Sequence, residues 1–167
     1  CNADEGEPGT FKDQILLEKN PYSVIEGMTI AGRVFGSPKG IIYVRGEYPE
    51  EFGILRACLE QAREAGLLGR GVLGIEGFDY DIDTVAGGGA YVCGENSAML
   101  NSIEGKPGRP RIKPPHLAEV GLHGKPTLVN NVESYADVTL VLANGGEHYR
   151  DQGSEHGGGM KLISLCG

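Results

Sequence analysis

A glycine-rich stretch in residues 87–105 holds the residue types best suited to bind a ligand. Gly87, Gly88 and Gly89 tolerate positive φ and let a ligand approach the backbone closely. They lead to Glu95, a carboxylate at the start of a predicted helix that ends at Ile103. The N–H groups in the first turn of such a helix lack partners within it and attract anions. The stretch therefore predicts a site for a phosphate or a flat cofactor, and a plain turn before a surface helix is the alternative.

The opening loop concentrates three carboxylates, Asp4, Glu5 and Glu7, around Gly6. Their mutual repulsion is unfavourable unless a ligand or backbone N–H groups use the charges. Together with the amide of Asn2, they suit the hydroxyl donors of a ribityl chain or a ribose. Solvated turn carboxylates are the alternative.

Two further segments carry residues that suit a nucleotide. Lys113 precedes two prolines that hold the chain extended, so it suits a dinucleotide phosphate, with a solvated lysine as the alternative. Asn130 and Asn131 open a predicted helix, where asparagine is a favoured cap, but capping explains only one of the pair. The histidines at positions 116 and 123 and the four dispersed cysteines lack the spacing of a metal site, so none is predicted.

Hydrophobic periodicity and breakers divide the chain into alternating helices and strands. The predicted helices span residues 11–18, 23–35, 49–65, 95–103 and 130–143, and the predicted strands span 40–45, 78–85 and 161–167. This alternation favours an α/β fold, a layered Rossmann-like domain with a mostly parallel sheet and helices on both faces. The prolines between residues 105 and 129 predict a long ordered loop, and residues 147–159 a surface linker.

Composition narrows the classes of function. The 167 residues suffice for one domain with a core, and the 28 glycines, about twice their usual ~7% share, indicate loops that bind a ligand. A net charge of -8 argues against nucleic acid, and no run approaches the ~20 apolar residues of a membrane span, so we predict no direct membrane insertion. The scattered cysteines and the lack of a signal peptide favour a reducing, cytoplasmic location. Without a GxGxxG fingerprint, an ordinary Rossmann dehydrogenase is disfavoured.

Several segments occur in the order found in one protein family. They are residues 1–13 (CNADEGEPGTFKD), 25–28 (IEGM), 42–48 (IYVRGEY), 89–95 (GAYVCGE), 113–115 (KPP) and 124–133 (GKPTLVNNVE). On these motifs the chain resembles the FMN- and NADH-binding flavoprotein subunit of respiratory complex I, the NADH:quinone oxidoreductase, a family that NAD-linked hydrogenases and formate dehydrogenases share. The resemblance implies an FMN/NADH-binding domain in residues 1–160. It also implies that residues 161–167 start the connection to a following domain.

The resemblance further implies an electron-input module that accepts hydride from NADH onto FMN and passes electrons to an iron–sulfur cluster. In the family, a glycine-rich flavin loop precedes this region, and a ubiquitin-like domain and a [4Fe-4S] domain follow it. We therefore expect residues 1–167 alone to be inactive. The implied partners are other subunits of a multi-subunit oxidoreductase, including an iron–sulfur subunit. A nucleotide-binding or docking domain without turnover is the alternative, and the terminal electron acceptor stays open.

Site residues follow from the resemblance position by position. The FMN side comprises Asn2, Asp4, Glu5, Tyr91, Gly94, Glu95, Asn130, Asn131 and Ser134. The NADH side comprises Glu7, Asn96, Lys113 and His116, with Glu7 nearest the nicotinamide and no further catalytic group. Two positions depart from the family, because Asn96 replaces a common second glutamate and His116 an adenine-stacking phenylalanine. Asparagine lacks the charge and imidazole offers less stacking area, so the choice between NADH and NADPH stays open.

Overall fold

A computed structural model describes residues 1–165 and contains a parallel three-stranded sheet. Its strands are β1 (Asn2–Ala3), β2 (Lys39–Val44) and β3 (Asp81–Ala86), in that spatial order. Asn2 pairs with Tyr43, and Lys39 pairs with Asp81. Because the strands run the same way, their carboxyl ends lie at one edge, which is where open α/β sheets bind ligands.

The helices predicted from periodicity form close to their predicted bounds. Within residues 1–165 the α-helices are α1 (Lys12–Lys19), α2 (Pro21–Phe35), α3 (Pro49–Glu64), α4 (Asn96–Ile103), α5 (Val132–Asn144) and α6 (Gly146–Asp151). Pro21 begins α2, where a missing N–H costs no hydrogen bond, and Gly36 ends it at φ 67°. None of these helices is long and apolar enough to cross a membrane.

Successive side chains of β2 point to opposite faces of the sheet. Ile42 and Val44 belong to the larger hydrophobic core, which includes side chains of α1, α2, α3 and α5. Tyr43 belongs to a second, smaller cluster with Met99 and Leu100 of α4. Helices therefore cover both faces of a parallel sheet, and the predicted α/β fold class is confirmed.

Two predictions near the carboxyl end are wrong. The linker predicted over residues 147–159 contains α6, and Tyr149 ties this helix to α5 by donating to Asp137 Oδ2 at 2.8 Å. The strand predicted over residues 161–167 does not form in residues 161–165. The N–H of Leu162 donates instead to Glu133 Oε1 at 2.7 Å, so the segment follows α5 rather than the sheet. Residues 166 and 167 lie outside the described residues.

Candidate functional site

A cavity of about 530 Å³ lies beside the carboxyl end of β1. Its volume falls within the roughly 300–1,000 Å³ typical of small-molecule sites. The opening loop, the start of α1, the turn before α4 and the start of α5 form its walls. It is lined by Asn2, Asp4, Glu5, Gly6, Glu7, Thr10, Lys12, Asp13, Tyr91, Val92, Gly94, Glu95 and Asn131.

Most of the predicted site residues meet in this one cavity. Those from the opening loop and from the turn before α4 all line it, together with Asn131 on a third side: Asn2, Asp4, Glu5, Glu7, Tyr91, Gly94 and Glu95. These segments are distant in the sequence, and the fold brings them together at the edge of the sheet where the carboxyl ends of the strands lie.

The other predicted residues do not line the cavity. The carbonyl of Asn130 accepts from the N–H of Asn2 at 2.8 Å, and Asn96 Oδ1 accepts from Asn2 Nδ2 at 2.9 Å. Lys113 contacts the cavity wall through Glu95. His116 and Ser134 are exposed and lie away from the lining.

Asp4 is a lining carboxylate with spare acceptor capacity on both oxygens. Within residues 1–165 no hydrogen bond to its carboxylate oxygens forms. Partial burial raises the pKa of Asp4, an increase that Arg45 opposes and Glu47 reinforces. These oxygens therefore suit hydroxyl or N–H donors on a ligand.

Glu5 is committed to the protein itself. Its carboxylate is 7% exposed and accepts from the backbone N–H groups of Asp13 at 3.1 Å and Gln14 at 3.3 Å. These first-turn groups of α1 otherwise lack partners within the helix. Tyr48 donates to the same carboxylate at 3.2 Å, and burial together with Glu5 raises the pKa of Tyr48 to about 12. Glu5 therefore joins the opening loop to the start of α1.

Asn131 is the centre of a hydrogen-bond cluster at the cavity wall. Its Nδ2 donates to Asp13 Oδ2 at 2.6 Å and to the carbonyl of Asn2 at 3.2 Å. Its Oδ1 accepts from Lys12 Nζ at 2.8 Å and from the N–H of Glu133 at 3.1 Å, which caps α5. All the usual hydrogen-bonding positions of the amide are thus used within the protein. Asn131 therefore holds β1, α1 and α5 together around the cavity.

Sequence reasoning missed Thr10, Lys12 and Asp13 as lining residues. Asp13 is 1% exposed, and burial raises its pKa, although hydrogen bonds from Lys12 and Asn131 oppose the increase. Lys12 Nζ lies 2.6 Å from Asp13 Oδ1, and among the described lining residues Lys12 is the only cation. Their opposite charges at the start of a predicted helix were the available signal.

Glu95 caps α4 at the cavity wall. Its Oε2 accepts from the N–H groups of Ser97 and Ala98, each at 2.9 Å, so these two first-turn donors are not free for an anion. Its Oε1 lies 3.3 Å from Lys113 Nζ. Partial burial raises the pKa of Glu95, but the hydrogen bonds from Ser97, Ala98 and Lys113 outweigh burial and bring it below its ordinary value.

Tyr91 and Glu7 form a pair on the exposed side of the lining. Tyr91 Oη donates to Glu7 Oε2 at 2.8 Å, and this bond raises the pKa of Tyr91. The Tyr91 ring packs over Gly6, where a Cβ would lie 2.9 Å from Tyr91 Cδ2. A larger residue at position 6 would therefore displace the ring from the cavity wall.

The glycine run before this turn has a packing role. A Cβ at Gly87 would lie 2.9 Å from Tyr43 Oη, and one at Gly46 would lie 2.6 Å from the carbonyl oxygen of Gly87. Glycines therefore let the segment after β3 approach the segment after β2. The part of this stretch that lines the cavity begins at Tyr91.

Fold and cavity together define an α/β domain with an acceptor-rich ligand site at the carboxyl ends of parallel strands. Within residues 1–165 no group of three or more His, Cys, Asp or Glu side chains is arranged to hold a metal ion. In the same residues, Cys1, Cys58 and Cys93 are free thiols.

Known proteins are similar to this chain in sequence and in fold. The family model described as the Nuo51 FMN-binding domain matches residues 1–140. The F subunit of NADH-quinone oxidoreductase in Aquifex aeolicus (strain VF5) is 48% identical over 100% of this chain and 39% of its own length. The alpha subunit of NAD-reducing hydrogenase HoxS in Cupriavidus necator is 49% identical over 100% of this chain and 28% of its own length. A crystal structure of an NAD+-reducing [NiFe]-hydrogenase in the H2-reduced state matches with a TM-score of 0.86 and 42% identity, over 95% of this chain and 26% of that chain.

The chain belongs to the family of the Nuo51 FMN-binding domain. It spans well under half the length of the two relatives. The family resemblance predicted from the sequence motifs is confirmed.

Proposed function

We propose that this domain binds FMN in the cavity beside β1 and positions NADH to transfer hydride to it. The observation that carries the proposal is the convergence of eight resemblance-predicted residues on one cavity: Asn2, Asp4, Glu5, Glu7, Tyr91, Gly94, Glu95 and Asn131. FMN, when bound, supplies the chemistry that converts a two-electron hydride into single electrons for an iron–sulfur cluster. We further propose that the domain is part of a cytoplasmic multi-subunit oxidoreductase that includes an iron–sulfur subunit.

The residues present fit the ribityl chain of FMN. The Asp4 carboxylate has free acceptor positions, and Asn2 Oδ1 accepts only the N–H of Asp4, at 3.1 Å, within residues 1–165. A carbonyl oxygen has two lone pairs, so Asn2 keeps one for a ligand hydroxyl. Gly94 keeps the wall close, because a Cβ there would lie 3.2 Å from the carbonyl oxygen of Asp4.

The phosphate of FMN fits one part of the cavity only. Five of the thirteen lining residues are acidic against one cation, Lys12, and this excess of negative charge disfavours an anion in most of the cavity. Two parts of the lining favour an anion: the start of α5, with its partial positive charge, and Lys12, although Lys12 already pairs with Asp13 and lies 3.5 Å from Glu133 Oε2. The resemblance places Asn130, Asn131 and Ser134 at the same end, so the phosphate belongs there.

The nucleotide side comprises Glu7 and the residues beyond Glu95. Glu7 and Tyr91 form the exposed wall along which a nicotinamide ring would reach the flavin, and Lys113 places a positive charge next to Glu95. Hydride transfer needs the two rings held in contact and no general acid or base. The task of these residues is therefore to orient the nucleotide.

Flavin absorbance tests the proposal directly. We expect the full-length protein to bind FMN, to be yellow, and to lose its flavin absorbance on anaerobic addition of NADH. FMN binding without bleaching would favour the alternative, a nucleotide-binding or docking domain without turnover. Failure to bind FMN would contradict the proposal that FMN is the cofactor of this domain.

The departures at Asn96 and His116 lead to a prediction about nucleotide choice. We expect Asn96→Glu with His116→Phe to raise the preference for NADH over NADPH by about tenfold, because a carboxylate binds the ribose 2′-hydroxyl and repels a 2′-phosphate. FMN affinity is expected to stay unchanged, since a carboxylate at position 96 can still accept from Asn2 Nδ2. Steady-state kinetics with both nucleotides measure the preference, and the two single variants separate the charge from the ring. Identical kinetics for parent and double variant would show that neither position contacts the nucleotide.

A further inference from the structure

Arg111 holds the proline-rich loop of residues 105–129 against α4. Its Nε donates to Asn101 Oδ1 at 2.9 Å, its Nη2 to Glu104 Oε1 at 2.9 Å, and its Nη1 to the carbonyl of Gly121 at 2.8 Å. Asn101 lies in α4, Glu104 directly follows it, and Gly121 lies in the later part of the loop. The fork of the guanidinium therefore joins three separate points of the chain.

The buried side chain of Glu104 accepts several of the hydrogen bonds that hold the loop against α4. Its side chain is 5% exposed and receives Lys106 Nζ at 2.6 Å, the N–H of His123 at 2.8 Å and the Arg111 guanidinium. The hydrogen bond from Lys106, followed by those from His123 and Arg111, lowers the pKa of Glu104 to about 2. Because this pKa is lowered on folding, its stabilising contribution is complete above the ordinary value of 4.5 and is lost as pH falls towards about 2.

Arg111 also connects to the cavity wall, through its backbone N–H. The N–H of Arg111 donates to Ser97 Oγ at 2.7 Å, and this hydroxyl donates in turn to Glu95 Oε2. Ser97, at the centre of this connection, is fully buried. Glu95 Oε1 pairs with Lys113, two residues beyond Arg111. Arg111 therefore fixes the segment that carries Lys113 at the point where it meets Glu95.

We propose that Arg111 is a positioning residue that sets Lys113 for the nucleotide, although Arg111 itself lies outside the cavity. This inference rests on the proposed function, because it assigns Lys113 to the nucleotide. A lysine at position 111 has one ammonium group and cannot reproduce the planar fork that reaches Asn101, Glu104 and Gly121 together. Arg111→Lys is thus expected to resemble Arg111→Ala.

Equilibrium binding of NAD+ to the FMN-loaded full-length protein tests the inference without turnover. Calorimetry is expected to show about tenfold weaker NAD+ binding for Arg111→Ala and Arg111→Lys, comparable to losing a hydrogen bond to a charged group. FMN affinity, followed by flavin fluorescence, is expected to stay within about twofold of the parent. Arg109→Ala is the matched control, since Arg109 is exposed and its hydrogen bonds within residues 1–165 use only its backbone. It is expected to bind both ligands as the parent does.

A double-mutant cycle with Lys113→Ala decides how Arg111 acts. If Arg111 acts through Lys113, then Arg111→Ala weakens NAD+ binding in the parent and causes no further loss in the Lys113→Ala background. An equal loss in both backgrounds, or a parallel loss of FMN affinity, would overturn the positioning role and leave Arg111 a residue of general stability. NADH-dependent bleaching of the parent protein is recorded alongside. Its failure would overturn the proposed function, whereas normal bleaching with an additive cycle overturns only the role of Arg111.

Discussion

Gly27→Ala is expected to lower the free energy of unfolding by at least the roughly 1–3 kcal/mol typical of overpacked cores. Gly27 lies on α2 where that helix crosses α5, and a Cβ there would lie 1.9 Å from the carbonyl oxygen of Tyr135. The obstacle is backbone, so a side-chain rotation cannot relieve the clash. The two helices must separate, which disturbs the core that supports β2. Urea unfolding followed by circular dichroism measures the loss.

Gly53→Ala provides the matched control for this variant. Gly53 also lies within a helix, α3, but an added Cβ there meets no atom within 4 Å. Alanine is expected to stabilise α3 by about 0.5–1 kcal/mol, because glycine loses more backbone entropy on folding. Equal stabilities of Gly27→Ala and the parent would show that α2 and α5 do not pack this closely.

The sequence predicts the elements of this fold well because their signals are local. Gly36 marks the end of α2 where the sequence predicts it, whereas the helix begins at Pro21, two residues before its predicted start. Strands β2 and β3 follow from short β-rich runs next to breakers, whereas β1 is only two residues long and the sequence does not predict it. The segment after Asn144 is different, because the hydrogen bond that joins α6 to α5 links Tyr149 to Asp137, twelve residues away, and hydrophobic periodicity does not predict such a contact.

The candidate site is predictable where its residues are contiguous in the sequence. Asn2, Asp4 and Glu7 lie within one short stretch, residues 2–7, and a single motif covers them. Asp13 contributes through Asn131, 118 residues away, and such a pairing follows only from the folded chain. The role of each carboxylate cannot be predicted from the sequence either. Glu5 caps α1 from a position eight residues before Asp13, which lies outside any local capping pattern.

Glu95 contributes both to the start of α4 and to the wall of the cavity in which we propose that FMN binds. One oxygen caps α4 and the other pairs with Lys113. Because Gly94 and Glu95 line the cavity, the start of α4 and the cavity wall are the same stretch of chain. A change at Glu95 is therefore expected to alter both.

Glu95→Ala is expected to weaken FMN binding by about 1.5–3 kcal/mol, the range for hydrogen bonds to charged groups, or roughly 10- to 100-fold in Kd. Alanine removes the cap of α4 and leaves Lys113 without its carboxylate partner. Fluorescence titration of FMN into the full-length variant measures the change.

Glu95→Gln separates the cap from the charge. Glutamine keeps a carbonyl oxygen that can accept from the N–H groups of Ser97 and Ala98, but it has no charge for Lys113. We expect its thermal stability to stay near that of the parent and its FMN affinity to fall between those of the parent and Glu95→Ala. If both variants lose the same affinity, the charge of Glu95 matters to FMN and the cap does not. If neither loses affinity, Glu95 serves α4 alone and Asp4 and Asn2 must supply the acceptors for the cofactor.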